Sequence, residues 1–194
     1  MNRPLVTINI AMTADGKIDT YEREGAKISS KEDWIRVDRI RADSDAVMVG
    51  GRTLLGEDPR LTIKDPGLQE LRISRGLTRD PIKVGVISDA KLSLKSRFIH
   101  DGSGPVIIFT TNRTGKKQIA NLKSIGVDII LAEKPRVDLS GMMEILYQRG
   151  VRKLLVEGGG TLNAALLQDK LVDSLNIYIA PILFLGADAP TLGI

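Results

Sequence analysis

The chain has 194 residues, 28 basic and 24 acidic, giving a net charge of +4, and it contains no cysteine. Hydrophobic residues make up 42% and charged residues 27%, with a mean hydropathy of −0.02, which describes one globular domain with a proper core and excludes a mostly disordered chain. No apolar run approaches the ~18–20 residues of a membrane span, and without cysteine there is no disulfide, thiol nucleophile or thiolate metal site.

In chain order, Leu5–Met12 reads as a first strand that ends in a loop holding Asp15, Gly16 and Lys17. The start, Met1–Thr7, alternates like a strand and lacks the apolar core of a secretion signal. Ser29-Ser30-Lys31-Glu32 has capping-box spacing and predicts a helix running to about Ala42, with Trp34, Val37, Ile40 and Arg41 on one side. Ala46–Val49 is a short buried strand stopped by Gly50-Gly51, and the polar stretch from Glu57 to Pro81 reads as a long loop.

The second half is more regular. Ile82–Ile87 and Pro105–Thr110 are strand runs, and a helix over about 115–125 leads through Gly126 into the strand Val127–Leu131. Asp138 or Ser140 can cap a helix carrying Met142, Met143, Leu146 and Tyr147, closed by Gly150. Lys153–Val156 is a buried strand that Glu157-Gly158-Gly159-Gly160-Thr161 turns into the helix Leu162–Asp169, and Ser174–Ile182 is the last strand. Strands and helices alternate throughout. This predicts an α/β fold with a largely parallel central sheet and helices on both faces.

The strongest chemical signal is the strand–glycine–helix turn at Glu157–Thr161. Three glycines let backbone approach a ligand closely, and a helix start presents unpaired N–H groups that suit a phosphate. The plainer reading is a tight turn needing positive φ. The spacing is neither a Rossmann fingerprint nor a P-loop. Glu157 sits at the strand's carboxyl end, where ligands of open α/β sheets collect, although an acid is favoured at a helix start in any case. Gly50-Gly51-Arg52-Thr53 repeats the strand-then-glycine logic, and the carboxylates of Glu57 and Asp58 lack further spaced metal ligands. His100 is the sole histidine, so neither a triad nor a zinc site is supported. A pI near 9.4 invites a nucleic-acid reading. The basic residues are scattered among acids, however, and aromatics are only 4%, which fits a phosphate-bearing small ligand better than a polymer.

The ordered set Asn9–Lys17, Arg39–Ala42, Asp45–Gly50, Thr53–Thr62, Leu155–Asn163 and Leu171–Asp173 resembles the reductase family of riboflavin biosynthesis, over nearly the whole chain, and most closely its stand-alone archaeal form. The chain has neither the His-x-Glu nor the Pro-Cys-x-x-Cys of the zinc deaminase that bacteria fuse to this reductase. The resemblance implies a single dihydrofolate-reductase-like domain over residues 1–194, in three layers, and closing strands past Gly193-Ile194. It also implies NADPH as hydride donor, a phosphorylated pyrimidine as substrate, a cytoplasmic homodimer, and no metal, nucleic-acid or membrane partner. The implied reaction opens the ribosylamino sugar and reduces its C1′ to the ribitylamino product.

Carried over by position, the resemblance assigns Ser29, Arg41, Leu61, Lys64 and Glu157 to the substrate, Arg41 through its phosphate. Asn9 falls on a substrate position where bacterial members often carry Lys. Ala11, Thr53, Glu57, Ser88 and the run Gly158-Gly159-Gly160-Thr161 fall on cofactor positions, and Ser88 with Lys91 is placed to read the cofactor's 2′-phosphate. Two motifs depart from the family pattern. The usual Asp-Asp-Pro is Glu57-Asp58-Pro59 here, and the Ser-x-Trp of bacterial relatives is Ser29-Ser30-Lys31, leaving Trp34 to read as packing. The proton donor stays open among Asp15, Asp58, Glu157 and water. A reductase of another pterin or pyrimidine, or a non-enzymatic NADP-binding sensor, are the competing readings.

Overall fold

A computed structural model describes residues 2–23 and 25–192. Its strands are β1 (Leu5–Thr13), β2 (Ala46–Gly50), β3 (Ile82–Val86), β4 (Val106–Thr111), β5 (Asp128–Ala132), β6 (Lys153–Val156) and β7 (Ser174–Ala180). All pair in parallel, in one sheet ordered β5-β4-β3-β2-β6-β1-β7. The central strands are runs of Val, Ile, Leu and Met because both of their faces are covered. In β2, Ala46 and Met48 face one core cluster, while Val47 and Val49 face the other.

The helices are α1 (Lys31–Ala42), α2 (Gly51–Glu57), α3 (Pro66–Ser74), α4 (Arg97–His100), α5 (Lys116–Ser124), α6 (Leu139–Gln148) and α7 (Gly160–Gln168). On one face, α6 and α7 bury Met142, Met143, Leu146, Leu162 and Leu166 against Ile8, Met48 and Val156. On the other, Leu54 of α2, Phe98 of α4 and Leu122 of α5 pack on Val49, Ile108 and Leu155. The expected α/β fold with helices on both faces is therefore present. No helix among the described residues is long and apolar enough to cross a membrane.

Several local expectations shift. The cap of α1 is Ser30, whose hydroxyl accepts the Asp33 amide, one residue later than the capping-box reading. Trp34 is not core packing: it is 45% exposed. The stretch read as a loop from Glu57 to Pro81 contains α3, capped by the Asp65 carboxylate and started by Pro66. Buried charges order the rest of that stretch. Asp38 accepts the Lys64 and Asp65 amides, and Asp80 accepts those of Ile63 and Ser103. Arg72, fully buried, donates to the carbonyls of Ala42, Ser44 and Thr78, so backbone acceptors at the end of α1 and beyond α3 are satisfied.

Candidate active site

From β2 the chain runs outward through β3, β4 and β5, then returns to insert β6 between β2 and β1. This reversal opens a crevice at the carboxyl ends of the strands, the usual ligand position in open α/β sheets. The crevice is a cleft of about 1150 Å³. That lies just above the ~300–1,000 Å³ of a typical small-molecule pocket.

The floor of the cleft is the turn from β6 into α7. Gly158 has φ +92°, a conformation that disfavours a Cβ, and nothing lies within 4 Å of where its Cβ would be. The turn is thus an open cradle. A Cβ on Gly159 would instead come within 2.9 Å of Thr53 Oγ1, so this residue lets the turn sit against α2. The Gly50 amide donates to the Gly158 carbonyl at 2.8 Å and joins the two glycine turns. The amides of Gly160 and Thr161, at the start of α7, have no acceptor among the described residues. Unpaired amides at a helix start, beside a backbone cradle without side chains, fit the pyrophosphate of a dinucleotide.

On the β1 side the cleft is polar. Asn9 is 7% exposed, and its Oδ1 has no hydrogen-bond partner. Glu157 stands next to it in the sheet, because Ile8 pairs with Val156. The Glu157 carboxylate receives Arg41 Nε and Nη2, both at 2.7 Å, while Arg41 Nη1 donates to the Thr62 carbonyl at 2.7 Å. Burial disfavours the Arg41 charge, but Glu157, with Asp38 and Asp80 beyond it, more than offsets this and raises its pKa above the ordinary arginine value. Glu57, at the end of α2, is shifted upward, first by loss of water around its carboxyl and then by Asp19; a hydrogen bond with Thr53 opposes the shift. Asp19 itself accepts the amides of Thr20, Gly25 and Ala26 and shapes the loop above Glu57.

The fold brings most of the nominated residues together. Asn9, Ala11, Ser29, Thr53, Glu57, Ser88, Glu157 and Gly158 to Thr161 all line the cleft. Four others do not. Arg41 lies behind Glu157, engaged with it, so meeting a phosphate would require it to exchange those partners. Leu61 is 2% exposed and belongs to the core below α2. The Lys64 ammonium lies 5.0 Å from the centre of the Trp34 ring. Lys91 is exposed and pairs with Asp89 at 2.9 Å.

Two proton-donor candidates are also engaged elsewhere. Asp15 takes the Thr13 hydroxyl and the amides of Phe184 and Leu185, which hold its carboxyl low. Asp58 accepts the Ser96 hydroxyl and the Arg97 and Phe98 amides at the start of α4. The sequence reading missed Asp19, Trp34, Arg52 and Arg113, all of which line the cleft. Arg52 and Arg113 lie just past the carboxyl ends of β2 and β4. The rule that ligands collect there was the signal that could have found them.

The family model described as the RibD C-terminal domain matches residues 4–193. A protein of Archaeoglobus fulgidus named 2,5-diamino-6-ribosylamino-4(3H)-pyrimidinone 5′-phosphate reductase is 40% identical over 190 residues, covering 98% of this chain and 86% of that protein. One of the same name from Methanothermobacter thermautotrophicus is 37% identical, covering 98% and 83%. Among solved structures, a pyrimidine reductase-like protein of Corynebacterium diphtheriae superposes with a TM-score of 0.84 at 20% identity, covering all of this chain and 81% of that one. RibD of Acinetobacter baumannii superposes with a TM-score of 0.80 at 24% identity, covering all of this chain and 50% of that one. At these identities the superpositions speak for the fold.

Proposed function

The chain belongs to the RibD C-terminal domain family, and from that membership we propose that it is a reductase of riboflavin biosynthesis. Its substrate is 2,5-diamino-6-ribosylamino-4(3H)-pyrimidinone 5′-phosphate, whose C1′ it reduces with NADPH to give the ribitylamino product. One observation carries the reading. A single cleft joins an open glycine cradle with free helix-start amides to a polar wall of Asn9, Ser29 and Glu157. A cofactor binder without a substrate would need only the first half.

NADPH, when bound, supplies the hydride. The protein's part is to hold the two ligands at near-attack distance and to exclude water, because a carbon already electrophilic as an imine or aldehyde needs little covalent help. The Gly160 and Thr161 amides and the Gly158 cradle hold the pyrophosphate, with Ala11 and Thr53 beside it. Glu157, its two oxygens fixed by Arg41, accepts hydrogen bonds from sugar hydroxyls or pyrimidine amines. Asn9 offers its amide to the same ligand, and Ser29 closes the substrate side from the loop before α1. Glu57 and Glu157 are the carboxyl groups of the cleft left for proton chemistry, since Asp19 holds its loop and Asp89 pairs with Lys91.

The same reading places the enzyme in the cytoplasm as a homodimer. Supporting the dimer, β7 is an outermost strand and carries Leu175, Ile177 and Ile179 exposed along one face. The experiment is to follow the ultraviolet absorbance of NADPH with the ribosylamino-pyrimidinone phosphate, beside a titration of NADPH alone. Turnover is expected. Binding without turnover would favour another substrate or a sensor, and no binding would overturn the cofactor reading of the glycine turn.

A further inference from the structure

The turn that ends β1 is enclosed by the chain that leaves β7. Thr13 and Ala180 are the last level pair of these two strands. The Thr13 amide then donates to the Lys17 carbonyl at 2.8 Å, and the Gly16 amide to the Thr13 carbonyl at 2.9 Å, closing a tight turn over residues 13–17. Residues 182–191 wrap around it as a strap. The Ala14 amide donates to the Ile182 carbonyl and the Ile18 amide to the Pro190 carbonyl, both at 2.9 Å. Lys17 Nζ donates to the Ala189 carbonyl at 3.2 Å, and Arg23 Nη2 to the Asp188 carbonyl at 3.4 Å.

Asp15 stands at the centre of this arrangement and does not line the cleft. Its Oδ1 accepts the Thr13 hydroxyl at 2.5 Å and the Phe184 amide at 3.2 Å, and its Oδ2 accepts the Leu185 amide at 2.9 Å. Thr13 Oγ1, itself buried, accepts the Lys17 amide at 2.9 Å, so one carboxylate orders both the turn and the strap. Apolar packing does not hold this half of the strap, since Leu183 is 62% and Leu185 65% exposed. Its order depends on polar ties, and those to a carboxylate are the strong ones.

The strap reaches both halves of the cleft. Pro190 and Ile18 stand together in the cleft wall, and the loop carrying Ile18 continues through Asp19 and Gly25 to Ser29. Just past the strap, Asn163 Nδ2 donates to the Leu192 carbonyl at 3.3 Å. Asn163 is fully buried in α7, the helix whose start forms the glycine cradle.

We propose that Asp15 is a positioning residue: through residues 182–192 it fixes the loop after β1 against α7, so that the substrate wall and the cofactor cradle keep one separation. Hydride transfer needs the two reacting carbons at near-attack distance, and a displacement of about 1 Å costs up to about a hundredfold in rate. Asp15 thus acts on the step that follows binding of both ligands and touches neither. This assignment rests on the reductase reading, and it gives Asp15 a task other than proton donation.

The test compares the wild type with Asp15→Ala and Asp15→Asn in three measurements. These are single-turnover oxidation of bound NADPH by saturating ribosylamino-pyrimidinone phosphate, titration of NADPH alone, and trypsin cleavage after Arg23 and Lys27. Asp15→Ala should slow single turnover about ten- to hundredfold and leave the NADPH dissociation constant within about twofold. Trypsin should cut the loop faster in this variant, because Arg23 and Lys27 are exposed and the root of their loop has lost its anchor. Asp15→Asn keeps the acceptor for Thr13 and Phe184 but turns a donor toward the Leu185 amide, so it should fall between the two. An aspartate with a merely structural role would lower the melting temperature and weaken NADPH together, with the single-turnover rate of the bound complex unchanged. That pattern overturns the proposal, as does an Asp15→Ala enzyme that is cut and turns over like the wild type; both leave the reductase standing. A wild type without turnover, beside faster cleavage in Asp15→Ala, upholds the anchor and removes the reductase reading.

Discussion

Arg41 and Glu157, 116 residues apart in sequence, meet in a two-pronged ion pair whose bonds are both 2.7 Å, with side chains only 8% and 14% exposed. The fork clamps both carboxylate oxygens, so one orientation of Glu157 faces the cleft. Removing Arg41 leaves a mostly buried carboxylate uncompensated. Arg41→Ala should cost about 3 kcal/mol of stability and most of the activity, read from urea unfolding beside steady-state kinetics. Arg41→Lys keeps the charge and loses the fork. It should recover more stability than activity, and recovery in the opposite order would show that Arg41 acts mainly as a structural cation.

Glu157→Gln keeps the size of the side chain and removes its charge. The KM for the pyrimidine should rise more than the KM for NADPH, and kcat should fall with it. Kinetics showing the reverse ratio would move Glu157 to the cofactor half of the cleft.

Glu57 gives the cleft a pH dependence. With its carboxyl shifted upward by partial loss of water and by Asp19, it holds a proton to a higher pH than an ordinary glutamate. An anionic cofactor nearby favours the protonated form further, so binding takes up a proton. NADPH affinity contributed by this group is therefore greatest below the Glu57 range and lost as pH rises through it. Dissociation constants from about pH 5 to about pH 8 should show a shallower slope in Glu57→Gln than in the wild type. The cofactor's own phosphate titrates in both proteins, and identical slopes would remove Glu57 from the binding equilibrium.

At Gly158, φ +92° disfavours any side chain, and the space beside it is open to the cleft. Gly158→Ala should destabilise the fold by about 1–2 kcal/mol through backbone strain. It should also weaken NADPH by more than that loss explains, because the methyl fills the cradle. A thermal melt and an NADPH titration on the same sample separate the two effects. A lowered melting temperature with full NADPH affinity would make the glycine purely structural.

Asp58 is a stability group. Burial works against its charge, but the Ser96 hydroxyl and the Phe98 and Arg97 amides more than compensate and hold its carboxyl below the usual range. A lowered native value means the unfolded chain binds the proton more readily. The stabilisation is thus present above the ordinary aspartate pKa and disappears as pH falls through the native one. Asp58→Asn should cost about 1–2 kcal/mol near pH 7 and progressively less below about pH 4. A difference that stays constant on acidification would assign the effect to shape rather than charge.

Much of this molecule could be read one segment at a time. Period and composition located the seven strands, because each buried strand of a parallel sheet must be apolar on both faces wherever its neighbours come from. The glycine run at 158–160 likewise announced itself, since its backbone conformation is a local requirement. What those patterns could not supply was partnership. Arg41 reads as a free cation at the end of α1 until the fold sets Glu157 beside it, and Lys91 reads as a phosphate ligand until Asp89 is seen to hold it. Asp38 and Arg72 look like surface charges, yet they are buried and organise the stretch around α3 that seemed structureless. A charge shows its sign in the sequence, but its partner is set by which strand ends the sheet brings level, and that depends on contacts between residues far apart in the chain.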